Sequence, residues 1–266
     1  MSAAASLKNA LLPNRSVDRA IALGLVGFWL AMALLAWVAS PFKTLPGPGE
    51  VWDALGGLWM QSGLSQELFT TLKLIAHALV LTVVISMALS YATIVPVFRP
   101  LVEGISKLRF LGLGSGLVVP FTLITGGGYD LKVDLLTFGM TTYFVTAMAR
   151  VVVEIPRENF DHLRALGASE PRILWEVVIL GTLDKALDVL RQHVAMGWAM
   201  ITMVENISRA EGGVGALIAN ESKHFRLAEV YAIMIVILII GLVLDYLAGA
   251  LTRVLCPYSQ LERMRA

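Results

Sequence analysis

Cysteine is nearly missing from this chain. Cys256 is the only one in 266 residues, which excludes an internal disulfide and every metal or redox motif built from several thiolates. Charge is scarce too. Asp, Glu, Lys and Arg make up 15% of the residues, against about 25% in a soluble domain. The signs almost cancel, at +1 with a pI near 7.9, so there is no basic footprint for nucleic acid. The four histidines, His77, His162, His193 and His224, lack the spacing of HExxH or a related metal motif. No GxxxxGK[ST] loop is present to cradle a nucleotide, and no catalytic constellation stands out. The expectation is a chain with no catalytic residues, no metal and no cofactor of its own.

Apolar residues are plentiful: 57% of the chain, with a mean hydropathy of +0.73. That composition belongs to a membrane protein, and six apolar runs are legible, over residues 20–39, 68–95, 110–125, 133–153, 186–205 and 229–251. The first run is long enough for a helix rising about 1.5 Å per residue to cross about 30 Å of hydrocarbon, and it exceeds the roughly 7–15 apolar residues of a signal peptide. After it, proline and glycine at positions 41 and 46–49 keep the chain extended until Glu50 opens a short helix carrying Val51, Leu55 and Leu58. The second run is interrupted by Lys73, placed to snorkel, and by His77 a turn deeper, where a polar group is costly and reads as packing or as a pathway residue. The third is short and rich in small residues, with Gly112, Gly114, Gly116 and Pro120. The fifth is the least apolar, with Asp188, Arg191, Gln192 and His193 at its entrance and Trp198 near its middle. A helix of that polarity faces protein or water, which makes it the best candidate to line a pathway.

Between the fourth and fifth runs lies a polar stretch, residues 154–180, that reads as two helices and a turn. Pro156 suits a first helical turn, and Phe160, Leu163 and Leu166 recur along one face. Gly167 suits the left-handed position that ends a helix, and Ser169 stands where a side-chain N-cap would start the next, with Ile173, Leu174 and Val177 on its apolar face. Asp161 and Arg164, three apart on one helix, can pair with each other or with a partner. A short amphipathic hairpin at a membrane surface is a docking device.

This hairpin resembles the cytoplasmic EAA loop of ABC importer permeases of the nitrate/sulfonate/taurine type. In that family a Glu-Ala-Ala triplet stands six residues before a glycine. Here Asp161-His162-Leu163 stands six before Gly167, followed by the family-like Leu166-Gly167-Ala168-Ser169, then by Trp198 and Glu205 at family-like spacing. Leu180 and Asp184 replace family prolines. The resemblance implies an all-α integral membrane fold with six transmembrane helices and a cytoplasmic coupling hairpin over residues 154–180. It further implies a cytoplasmic segment 1–19, one permease domain over 20–253 and a cytoplasmic tail 254–266. Phe160, Asp161, Leu163, Arg164, Leu166, Gly167, Ala168 and Ser169 would contact an ATP-binding cassette subunit that holds the ATP and Mg. Trp198, Glu205 and His77 would be candidate pathway residues. The other reading of Trp198 is a residue packed between helices, and that of Glu205 a solvated residue at an external helix end. Implied partners are a second permease chain, identical or not, a periplasmic or lipid-anchored solute-binding protein, and the lipid of a bacterial inner membrane. The implied cargo is a small solute of the nitrate, sulfonate, taurine or thiamine-precursor type.

Charge asymmetry gives an independent orientation. With six spans and the N-terminus inside, Lys8, Arg15, Arg19, Arg99, Lys107, Arg109, Arg150, Arg157, Arg164, Arg172, Lys185, Arg253, Arg263 and Arg265 lie in the cytoplasm, and only Lys43, Lys132, Arg209, Lys223 and Arg226 lie outside. Two other classes fit the composition: a secondary transporter, and a membrane enzyme acting on lipid, which would need His77, His193 and His224 gathered in space.

Overall fold

The computed structural model describes residues 18–42, 44–60, 62–113 and 115–256. Lys8, Arg15, Lys43, Gly114, Arg263 and Arg265, used in the sequence reading, lie outside them. Every regular element among the described residues is helical.

The first apolar run is helix α1, Arg19–Val38. None of its most apolar window is buried within the chain, and it is tied in by Trp37, whose indole N–H donates to the Pro46 carbonyl at 3.0 Å. The Pro-Gly stretch leads into α2, Pro48–Met60. There Glu50 reaches back to accept from the Gly47 N–H at 3.0 Å, the reciprocal half of a capping box. Val51 and Leu58 are buried against Ala232 and Ile233 of the last helix, while Trp52 and Trp59 face outward.

Helix α3, Leu64–Ala92, packs along much of its length on α6, Gly128–Val153. Its buried face steps through Leu64, Leu68, Thr71, Leu74, Ile75 and Ala78, then through the small Thr82, Ser86 and Ser90. In lipid, helices gain little from hiding apolar surface and associate through close van der Waals packing, which such small residues permit. The central core joins Leu74, Ile75 and Ala78 to Leu131, Leu135, Leu136 and Met140 of α6 and to Trp198, Ile201 and Val204 of the later helix α9, Leu183–Ile207.

The expected third span is not one continuous helix. Pro96–Phe98 is a 3₁₀ turn, α4 covers Arg99–Lys107, Leu108–Leu111 is a second 3₁₀ turn, and Gly112 takes a positive φ of 60°. Within the expected 110–125 run, only Ser115–Thr125, α5, is α-helical. Its eleven residues rise about 16 Å, half the hydrocarbon thickness. Glycine at these positions gives the backbone freedom to break instead of forcing a straight helix.

The hairpin follows as α7, Arg157–Ala165, then α8, Glu170–Ile173, which continues as a wide π-helical stretch over Leu174–Leu180. The chain returns through α9, Leu183–Ile207, the short α10, Val214–Lys223, and α11, Leu227–Leu255. Among the described residues four helices, α1, α3, α6 and α11, are long and apolar enough to span a membrane, or five spans if the bent pair 96–111 and 116–125 counts as one. The expected fifth span, α9, has the length, but its entrance is charged. Lys132, counted above as an external loop cation, instead lies inside α6 and is 1% exposed.

Candidate functional site

Two polar constellations sit at opposite ends of α6 and α9. The hairpin joins Val153 to Leu183, whereas Lys132 and Glu205 lie at the far ends of the same two helices, roughly 30 Å along them.

At the hairpin, Gly167 has φ 78°. Its N–H donates to the Arg164 carbonyl at 2.9 Å and the Ala168 N–H donates to Leu163 at 3.0 Å. This is the paired pattern of a Schellman reversal, in which a left-handed residue satisfies the last carbonyls of a helix. Arg164 makes the expected contact with Asp161, at 3.3 Å, but its stronger partner is Glu170, gripped through Nε at 2.8 Å and Nη2 at 3.1 Å. These hydrogen bonds from Arg164 hold the Glu170 carboxyl below the usual glutamate range, and those to Glu170 first, then Asp161, raise the guanidinium. Phe160 and Leu163 are half-buried and Leu166 is 70% exposed, so the apolar face is only partly covered. Ser169 occupies the N-cap position with extended backbone, but its side chain makes no capping bond, contrary to expectation, because the backbone reversal and the Arg164–Glu170 pair already join the two helices. His162, from the triplet that replaces Glu-Ala-Ala, lines a cavity of about 330 Å³ with Asn159, Glu176 and Lys185.

The far end is a buried polar knot. The Glu205 carboxylate, 0% exposed, accepts from the Thr71 hydroxyl at 2.7 Å and the Gly215 N–H at 2.7 Å. Thr71 in turn accepts from the Val214 N–H at 2.9 Å, Glu67 accepts from the Gly213 N–H, and Lys132 donates to the Gly212 carbonyl at 2.8 Å. Four elements are joined: α3, α6, α9 and the glycine loop opening α10. Gly213 sits at φ 107°, and a Cβ there would overlap the Glu205 carboxylate. The reading of Glu205 as a solvated helix-end residue is therefore overturned. Glu67 and Lys132 were missed, although an acid in a first turn and a lysine beside an apolar run were both visible.

Trp198 is 6% exposed and reaches across to α11, its indole N–H donating to the Ile237 carbonyl at 2.9 Å above Gly241. Its packing and lining roles coincide, because it also borders a cleft of about 1000 Å³ between α9, α10 and α11, with Thr202, Ile218, Met234 and Asp245. Asp245 takes a two-pronged bond from Arg191, at 2.7 and 2.6 Å. A lone aspartate in so apolar a run was the signal sequence reasoning passed over.

The histidines do not gather. His77 is exposed on α3, not packed in the interior, with Nδ1 3.5 Å from the Tyr129 hydroxyl and the two rings stacked, while Lys73 lies over the same tyrosine. His193 is buried and donates from Nδ1 to the Val189 carbonyl at 2.7 Å. His224 lies just beyond α10. Among the described residues no group of three His, Cys, Asp or Glu is placed to hold a metal.

No family model matches the chain. It is 24% identical over 242 residues to a probable ABC transporter permease of Brucella abortus (strain 2308), covering 90% of this chain and 93% of that one. It is 26% identical over 241 residues to the taurine transport system permease protein TauC of Escherichia coli (strain K12), covering 88% and 86%. A chain of the methionine ABC transporter MetNI, solved in inward-facing conformations, superposes with a TM-score of 0.62 at 16% identity over 73% of this chain and 97% of that one, a likeness of fold. Over nearly its full length this multi-pass membrane chain is similar to ABC transporter permeases, the taurine permease among them, and its helical fold is like that of a solved one.

Proposed function

We propose that this chain is the membrane-spanning subunit of a binding-protein-dependent importer in a bacterial inner membrane, with six spans, both termini in the cytoplasm and the 154–180 hairpin docked on an ATP-binding cassette subunit. The observation that carries this reading is the exposed hairpin set between α6 and α9, two helices tied at their other ends by the Glu205 knot. A rigid helical reversal fixed to two coupled levers transmits a push from a partner's surface into the bundle. ATP and Mg are bound and hydrolysed in that partner. In this reading Phe160, Leu163 and Leu166 supply apolar docking area, and Asp161, Arg164, Ala168 and Ser169 form its polar rim around the Gly167 reversal.

The solute path runs along the α9–α11 cleft past Trp198, completed by a second permease chain, and a periplasmic or lipid-anchored binding protein delivers the cargo. Glu205 acts as the hinge anchor of that path, and His77, exposed on the outer half of α3, as a contact for the second chain or the cargo. Arg209 at one end of the cleft and the Arg191–Asp245 pair at the other favour a small anionic solute of the sulfonate, taurine or nitrate class.

The test is affinity purification of the detergent-solubilised chain at native expression. The expected result is co-purification of an ATP-binding cassette protein, lost when residues 160–167 are replaced by a glycine-serine linker. Recovery of no nucleotide-binding subunit, together with ATP-independent solute movement by the chain alone in vesicles, would overturn the proposal in favour of a secondary transporter.

A further inference from the structure

At the hairpin end of α6, a cavity of about 500 Å³ opens between the segment that follows α3 and the last turns of α6. Four cationic side chains border it, Arg99, Lys107, Arg109 and Arg150, against two carboxylates, Glu103 and Glu154. Among the described residues, none of the four is taken up in an ion pair. Arg99 donates from Nε to the Thr93 carbonyl at 3.0 Å, which fixes its stem at the rim. Deeper, the Ser106 and Thr146 hydroxyls, 2.6 Å apart, add hydrogen-bonding groups to the lining.

The same segment is strongly two-faced. Val102 is buried against the bundle, while Val97, Leu101, Phe110 and Leu111 are 74%, 54%, 80% and 58% exposed. It begins where the apolar α3 ends, so in a bilayer it lies in the interface, its bare apolar residues at the acyl boundary and its cations at headgroup depth. A free anion would neutralise the cations but gain nothing from Val97, Phe110 and Leu111. A phospholipid satisfies both, with its phosphodiester among the cations and its chains along the apolar residues.

We propose that this cavity is a binding site for the headgroup of an anionic phospholipid. The site requires only that the chain sits in a bilayer, so it stands or falls separately from transport.

The experiment is native mass spectrometry and thermal unfolding of the purified full chain, delipidated and then titrated with dioleoylphosphatidylglycerol, dioleoylphosphatidylcholine or inorganic phosphate. Retention of phosphatidylglycerol over phosphatidylcholine by fivefold or more is expected, with an upward shift of the unfolding midpoint for phosphatidylglycerol alone. Lys107→Gln with Arg150→Gln, both at exposed positions, removes that preference. Arg157→Gln with Arg172→Gln, an equal loss of charge on the hairpin, leaves it in place. Phe110→Ser, at an exposed site that does not threaten folding, weakens phosphatidylglycerol retention. Equal retention of the two lipids, or equal losses in the two charge pairs, would overturn the site. Displacement of phosphatidylglycerol by millimolar phosphate would do so too, because it would mark an anion pocket without a lipid.

Discussion

The two ends of the α6–α9 pair use charge in opposite ways. At the glycine-loop end, a carboxylate with no exposed surface is met by fixed donors from α3 and α10, and the backbone around it has no room for a side chain at Gly213. At the hairpin end, Asp161, Arg164 and Glu170 are open to solvent, and the shape is set by the backbone bonds around Gly167. Buried polar groups are costly unless fully paired, so the first arrangement tolerates one geometry only. Exposed ion pairs contribute little, so the second leaves its charges available to another surface. One end is a clamp and the other is left open.

The contrast is tested most severely at Glu205. Glu205→Ala strands the Thr71 hydroxyl and the Gly215 N–H and removes the anion facing Lys132, at a cost of about 3 kcal/mol. The thermal midpoint of the solubilised chain should drop by several degrees, with Glu205→Gln intermediate because the amide oxygen still accepts. An unchanged midpoint in Glu205→Ala would dissolve the distinction between the two ends.

Gly167→Val should show the opposite profile. A β-branched residue at φ 78° costs about 1–2 kcal/mol, but at an exposed turn that energy distorts the reversal and leaves the bundle intact. The expected outcome is wild-type membrane level and midpoint, with solute uptake lost while ATP hydrolysis by the assembled complex continues. Normal uptake with a normal membrane level would remove the hairpin from the coupling role.

Between the ends, Arg191 and Asp245 form a two-pronged pair at the margin of the cleft. Asp245→Asn and Arg191→Gln each remove one partner of the pair that joins α9 to α11 and should lower the amount of folded protein in the membrane, whereas the double variant recovers it. If the cleft carries an anion, the double variant still transports poorly because the guanidinium is gone. Full transport in the double variant would reduce the pair to a staple between α9 and α11.

What could be read from sequence follows from the range of each interaction. The long apolar helices were legible because length and composition within one segment fix them. Gly167 was legible because a helix stop is decided by a few neighbouring residues. The break in the third apolar run was not legible because glycines around position 112 permit a continuous helix and a break alike, and only packing chooses. The clamp was invisible as a unit: Glu67, Thr71, Lys132 and Glu205 come from three helices, and their common partner is a glycine loop with no side chains to advertise it. Glu170 was missed as the main partner of Arg164 because helical spacing pointed to Asp161, whereas the Gly167 reversal brings the next helix start closer.

That last pair gives the smallest and most local effect. The folded-state titration of Glu170 lies below the ordinary glutamate value, because Arg164 hydrogen-bonds the charged form. A depressed carboxylate contributes stability that is present above its unfolded pKa, about 4.3, and lost as pH falls through the folded value. Hydrogen exchange of the Gly167 and Ala168 amides, corrected for intrinsic rates, should therefore stay level from pH 8 to about 5 and accelerate below that. Arg164→Ala should exchange faster at neutral pH and lose the acid step, because Glu170 then has no favoured charged form to give up. The global midpoint should not move in either case, since both partners are solvent-exposed and the bundle does not rest on them. An acid step that persisted in Arg164→Ala would refute its assignment to the Arg164–Glu170 pair.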